Sequence, residues 1–206
     1  MKIQDISMTI HPGMIVYPNN PQVRIRQVSK VPKDATTKSE ITFGSHTGTH
    51  IDARSHVFEN DKGADATPLD TLYGKCKVLG LTACKGKITA ADLKKQKIGS
   101  GDIILLKTSN SLRGYEKFYD DYVYIDDSGA QYLADRKVKT VGIDHLSVKQ
   151  LGNRQSQTHQ ILIGHMTVFE GLDLSKVKPG GYIFVGLPLK IKDCDGAPAR
   201  AILIEN

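Results

Sequence analysis

Cysteine is scarce. Cys76, Cys84 and Cys194 are the only three, an odd number with no CxxC spacing, which speaks against a disulfide framework or a thiolate zinc site and fits a reducing compartment. Long apolar runs are missing too, with none near the roughly 20 residues a membrane helix needs. The first residues, Met1-Lys2-Ile3-Gln4-Asp5, carry an early acid and no apolar core, unlike a secretory signal. The expectation is a cytoplasmic protein with no membrane partner. Aromatics make up only 6% of positions, and no basic stripe with interleaved aromatics occurs. The densest lysine run, Lys94, Lys95 and Lys97, reads as a solvated helix face, so nucleic acid is not an expected partner.

What is present is ordinary for a globular chain: 206 residues, 39% apolar and 24% charged. Such a chain buries roughly 70% of its unfolded surface and builds a full core without staples. Twenty-eight bases against 22 acids leave +6, a modest excess that favours anionic ligands only weakly. No repeat or low-complexity segment divides residues 1–206, which read as a single domain.

The first thirty residues are rich in turns, through Pro12-Gly13 and Tyr17-Pro18-Asn19-Asn20-Pro21. Residues 40–52 read as one long strand, or two broken near Gly44 or Gly48, and residues 60–68 as a surface loop. A strand is expected over 77–82, then a helix capped by Thr89 with Asp92 in its first turn, running to about Lys97. Ile103-Ile104-Leu105-Leu106 is a continuous apolar run, as in a strand covered on both faces. A helix is expected over 128–136, a buried strand over 138–144, a short helix over 158–163 capped by Ser156 or Thr158, and a strand over 167–170. Strands over 182–191 and 199–205 follow, joined by a tight connection through Asp193 to Pro198. The pattern is α/β with strands outnumbering helices.

Three of seven histidines fall in His46-Thr47-Gly48-Thr49-His50-Ile51-Asp52-Ala53-Arg54-Ser55-His56. On a strand, residues two, four or six apart share a face, so His46, His50 and Asp52 project together, with Thr47, Thr49 and Ile51 opposite. Imidazole and carboxylate are the usual donors for Zn²⁺ or Mn²⁺. An exposed polar strand, or histidines satisfied by core hydrogen bonds, is the competing reading; three ordered donors on one face favour metal. His56, past the end of the strand, is a candidate acid/base.

This segment resembles the hallmark His-x-Gly-Thr-His-x-Asp-x-Pro-x-His of the cyclase-like metal-dependent hydrolases, which include bacterial kynurenine formamidase and isatin hydrolase. Every named position matches except that Arg54 stands for proline. Gly142-Ile143-Asp144, His159 with Glu170-Gly171-Leu172, Pro188-Leu189-Lys190 and the run from Asp195 to Ala201 are similar to later parts of the same family, and Pro12-Gly13-Met14 with Tyr17-Pro18 to its opening loop. The formamidases commonly carry Trp where Tyr17 stands.

The resemblance implies a swivelling β/β/α domain with a mixed, strand-rich sheet core, assembling as a homodimer or homotetramer. It implies that His46, His50 and Asp52 hold one metal, with Asp52 bridging to a second on His159 and Glu170 joining both. It places His56 as proton shuttle and Tyr17 against the substrate. The implied cofactor is one or two Zn²⁺, or Mn²⁺, and the implied reaction is hydrolysis of a small amide. N-formylkynurenine to kynurenine and formate is the first choice and an isatin-like cyclic amide or lactone the second. A non-catalytic metal-binding member of the same fold is a third reading. Arg54 reads as a surface charge or as a guanidinium beside the pocket. His11, His145 and His165 read as structural or exposed, with His165 a reserve donor.

Overall fold

The computed structural model of the protein describes residues 1–205. In chain order its elements are β1 (Lys2–Asp5), β2 (Arg24–Ser29), β3 (Lys38–Thr42), β4 (His50–Asp52), β5 (Tyr73–Gly80), β6 (Lys87–Ile88), α1 (Ala90–Lys94), β7 (Ile103–Lys107) and α2 (Asn110–Arg113). Then come β8 (Tyr124–Ile125), α3 (Asp127–Asp135), β9 (Thr140–Ile143), α4 (Thr158–His165), β10 (Thr167–Glu170), β11 (Gly180–Pro188) and β12 (Gly196–Glu205).

Eight strands form one sheet in the order β1-β12-β11-β5-β7-β9-β10-β4, and β4 pairs again with β12. All but β1 therefore close into a ring. The stretch β5-β7-β9-β10 is parallel, whereas β4, β12 and β11 join antiparallel to their neighbours. Alternation along β7 shows how the layers are filled. Ile103 and Leu105 enter the ring interior with Ile51, Phe169, Phe184 and Leu203, while Ile104 and Leu106 face outward to Leu133 of α3 and Leu162 of α4. The continuous apolar run is thus buried on both faces, as expected, and the mixed, strand-rich α/β architecture is the observed one. Inside the ring Phe169 and Phe184 meet edge to face at 5.1 Å, a geometry worth about 0.5–1.5 kcal/mol beyond area burial.

Thr89 caps α1 in a capping box with Asp92, although the helix ends at Lys94 rather than near Lys97. The cap of α4 differs from expectation. Gln157 occupies the cap position with no side-chain bond, because the Ser156 and Thr158 hydroxyls both donate to Asp127 at the start of α3, at 2.7 and 2.8 Å. That pairing ties the two helix starts together and fixes where His159, in the first turn of α4, points.

Residues 40–52 do not form one strand: β3 ends at Thr42, β4 begins at His50, and His46 lies in a turn between them. The turn passes through Gly48 at φ +61, a left-handed conformation that glycine adopts without Cβ strain. The 60–68 loop contains a 3-10 turn with Ala64 buried. The final connection spans 189–195, not 193–198, since Gly196-Ala197-Pro198 already pair with Asp52, Ile51 and His50. The β2–β3 hairpin pairs only with itself and is exposed on both faces except at Ser29.

Candidate metal centre and its cleft

The site grows from one pair of strands. In the antiparallel register of β4 and β10, His50 stands opposite Glu170 and Asp52 opposite Val168. Because side chains alternate, Ile51 and Phe169 enter the ring interior, while His50, Asp52 and Glu170 project together on the outer face. All three are buried. His50 Nε2 lies 3.3 Å from Glu170 Oε2 and 3.5 Å from Asp52 Oδ1. The other ring nitrogen, Nδ1, donates to the Gly48 carbonyl at 2.9 Å, a backbone bond of the kind that orients metal-ligating histidines and directs Nε2 at the cluster.

His46 reaches the same place from its turn. Its Nδ1 is 2.9 Å from Asp52 Oδ1, yet Asp52 Oδ1, Asp52 Oδ2 and His50 Nε2 are all buried without a hydrogen-bond partner. Buried polar atoms are almost always paired. Close nitrogen and oxygen atoms with no proton aligned between them match donors arranged about a common cation, which sit about 3.3–3.6 Å apart in a tetrahedral site when each bond is about 2.0–2.2 Å. From α4, His159 Nε2 lies 3.4 Å from Glu170 Oε1 and 3.8 Å from Asp52 Oδ2. Glu170 Oε1 also accepts from the Val148 amide at 2.7 Å. The donors fall into two groups that share Asp52: His46, Asp52 and His56, and His50, Asp52 and Glu170.

His56 ends a 3-10 turn after β4, its ring 4.3 Å from that of His46 and 5.5 Å from that of His159. Asp195, in the connection to β12, lies behind both: its Oδ2 is 3.0 Å from His46 Nε2 and 3.9 Å from His56 Nδ1. Sequence reasoning missed Asp195, because an aspartate before glycine reads as turn chemistry. Its neighbour Gly196 is required for space, since a Cβ there would lie 2.7 Å from His46 Cε1.

The charges of the cluster set one another. Burial alone would push His50 down, but the close approach and the charges of the Asp52 and Glu170 carboxylates outweigh it and bring it to about 10. Burial likewise opposes the rise of His46 and His159, and Asp52 and Glu170 overcome it. Asp52 is held well below the usual carboxylate range, burial being outweighed by His46 and His50. Glu170 is lowered by His159 and His50 against burial and the charge of Asp52. A divalent cation held here would take the place of protons on these imidazoles, because metal ligation needs the ring nitrogen free. His56 goes the other way: burial lowers it, His46 and His159 lower it further, and the charges of Asp52 and Glu170 do not make up the difference.

Above the cluster opens a cleft of ≈ 360 Å³ lined by Tyr17, His46, His56, Lys149, His159 and Glu170 among others. Tyr17 packs edge-on against Phe118 at 5.5 Å, and behind them Tyr122 stacks on His145 at 3.7 Å. The structure therefore brings His46, His50, Asp52, His56, His159 and Glu170 together, with Tyr17 on the wall of the same cleft. His11 and His165 are exposed, and His165 bonds its own helix through Ile161 O. His145 is buried in the aromatic layer, and none of these three joins the cluster. Arg54 lies outside the cleft. It pairs with Asp61 at 2.8 Å and donates to the Ile163 and Gly164 carbonyls at the end of α4, so it braces the helix that carries His159.

A family profile described as "Putative cyclase" matches residues 4–150. Kynurenine formamidase of Salinibacter ruber is 32% identical over 98% of this chain and 97% of its own length. Among solved structures, a protein described as a predicted metal-dependent hydrolase from Bacillus stearothermophilus superposes with a TM-score of 0.87 at 36% identity, covering 98% of this chain and 97% of that one. Isatin hydrolase A from Labrenzia aggregata shares the fold, with a TM-score of 0.84 at 20% identity over 100% of this chain and 94% of its own.

Proposed function

Because the chain belongs to the cyclase family, we propose that residues 1–206 form one metal-dependent hydrolase of small amides, acting as an arylformamidase on N-formylkynurenine to yield kynurenine and formate. The observation that carries this reading is the convergence of His50 Nε2 and both Asp52 oxygens, buried and unpartnered, on donors from three other segments. The donor set fits Zn²⁺, with Mn²⁺ as the alternative. His46, His50 and Asp52 would hold one ion. Asp52 directs Oδ1 toward His46 and Oδ2 toward His159, which suits it to a second ion shared with His159 and Glu170.

A bound divalent ion would supply Lewis acidity, polarising a carbonyl and acidifying water to a pKa of about 7. The chain's own residues do the rest. His56, kept neutral by its surroundings, takes a proton from the attacking water at a ring nitrogen and returns it to the leaving amine nitrogen as the C–N bond breaks. Asp195 orients His46 and adds a negative charge 3.9 Å from His56 Nδ1. Tyr17 packs against the aromatic ring of the substrate, in a cleft within the range of small-molecule sites.

The same reading has the protein work in the cytoplasm as a homodimer or homotetramer. Its three cysteines are free, as suits a reducing compartment, and no helix among the described residues is long and apolar enough to cross a membrane. An isolated two-stranded hairpin is marginal in water, so the exposed Ile25, Val28 and Ile41 of the β2–β3 arm favour cover by another copy.

Metal analysis of protein purified without added metal, joined to an assay on N-formylkynurenine, tests the reading. Bound metal, loss of turnover to a chelator and recovery with Zn²⁺ or Mn²⁺ are expected. Full turnover by metal-free protein would refute it.

A further inference from the structure

Two cations line the cleft, Lys149 and Arg154, and of the two only Lys149 is partly withdrawn from solvent. Lys149 is half-buried and lines the cleft beside His159 and Glu170, and it forms no ion pair among the described residues. Among the described residues the one carboxylate lining the cleft, Glu170, already lies against His50, His159 and the Val148 amide.

The backbone at Lys149 is also held on both sides. Its carbonyl accepts from the Tyr122 hydroxyl and its amide donates to Ser147 Oγ at 3.2 Å. Tyr122 is itself clamped by its stack on buried His145. Residues 150 and 152–155, just downstream, are exposed, so the pinning is local to Lys149. A long cationic side chain on a fixed backbone, partly withdrawn from water and lacking a protein carboxylate, is pre-organised for an anion from outside.

We infer that Lys149 is the residue that selects the substrate, pairing with a carboxylate carried on the substrate's chain away from the scissile amide. The inference rests on the hydrolase reading above and narrows it to acidic aryl amides, whereas Tyr17 contributes ring packing that any aromatic can satisfy.

The test reads binding and needs no turnover. Calorimetry compares 4-(2-aminophenyl)-4-oxobutanoate with its uncharged primary amide, on the wild type, Lys149→Met and Lys149→Arg. Wild type is expected to bind the acid about 10- to 100-fold more tightly than the amide. Lys149→Met should lose that preference while keeping its affinity for the amide, and Lys149→Arg should retain most of it. Preference for the acid surviving in Lys149→Met would put the carboxylate on Arg154 or on the metal cluster and overturn the inference, as would equal binding of the two probes by wild type. Hydrolysis of the matching N-formyl amide is followed in parallel; its absence would count against the hydrolase reading alone, because the affinities are measured independently of it.

Discussion

The floor of the cleft and its rim are built on different principles. The floor is β4 against β10, with one imidazole and two carboxylates buried and placed by strand register. The rim is irregular chain, residues 144–157 and the Tyr17 turn, held by an aromatic layer and by bonds to backbone. Errors in the floor misplace several donors at once, because register couples them. Errors in the rim move one contact at a time. On the proposed reading, the floor serves the reaction and the rim serves what is admitted.

Three experiments bear on that division. Asp52→Asn strikes the residue common to both donor groups and should lower kcat/KM by at least ~10³-fold, with metal content falling in parallel by elemental analysis. Unchanged metal and rate would show that the floor does not hold the ion. His56→Ala lies at the boundary, and its kcat should drop by about 10²- to 10⁴-fold with metal content preserved. Loss of metal instead would move His56 into the ligand set, where its proximity to His46 and Asp52 also allows it.

His145→Phe addresses the rim and has the smallest expected effect. Burial holds His145 at about 4 in the folded chain against 6.5 when free. Between those values the unfolded chain binds the extra proton, so stability is present above pH 6.5 and is lost as pH falls toward 4, by on the order of 3 kcal/mol in all. His145→Phe should flatten the fall in Tm from pH 7 to 5 and leave kcat at pH 7 within about twofold; an unaltered slope would mean that this ring does not govern it.

The floor was partly legible in the sequence. The alternation of His50, Ile51 and Asp52 gave the correct face, and the two-sided burial of β7 followed from its apolar run. His46 reached the cluster by a different route, through a glycine turn rather than along a strand, because the same-face rule holds only while the backbone stays extended. His159 and Glu170 carried no local signal, since they meet β4 only through long-range pairing, and the resemblance to a family supplied them. Asp195 and Lys149 were silent for a related reason: a turn aspartate and a loop lysine acquire roles only from what folds against them.

The three residues of β4 are bonded on one side to β10 and on the other to the start of β12. A slip of a single position would swing Ile51 outward and drive an imidazole and a carboxylate into a hydrocarbon interior. With neighbours on both flanks, that slip must break two ladders together. The shortest strand of the large sheet thus has no free edge, and loops around the mouth can lengthen or change composition over evolutionary time without disturbing the spacing of the groups beneath them.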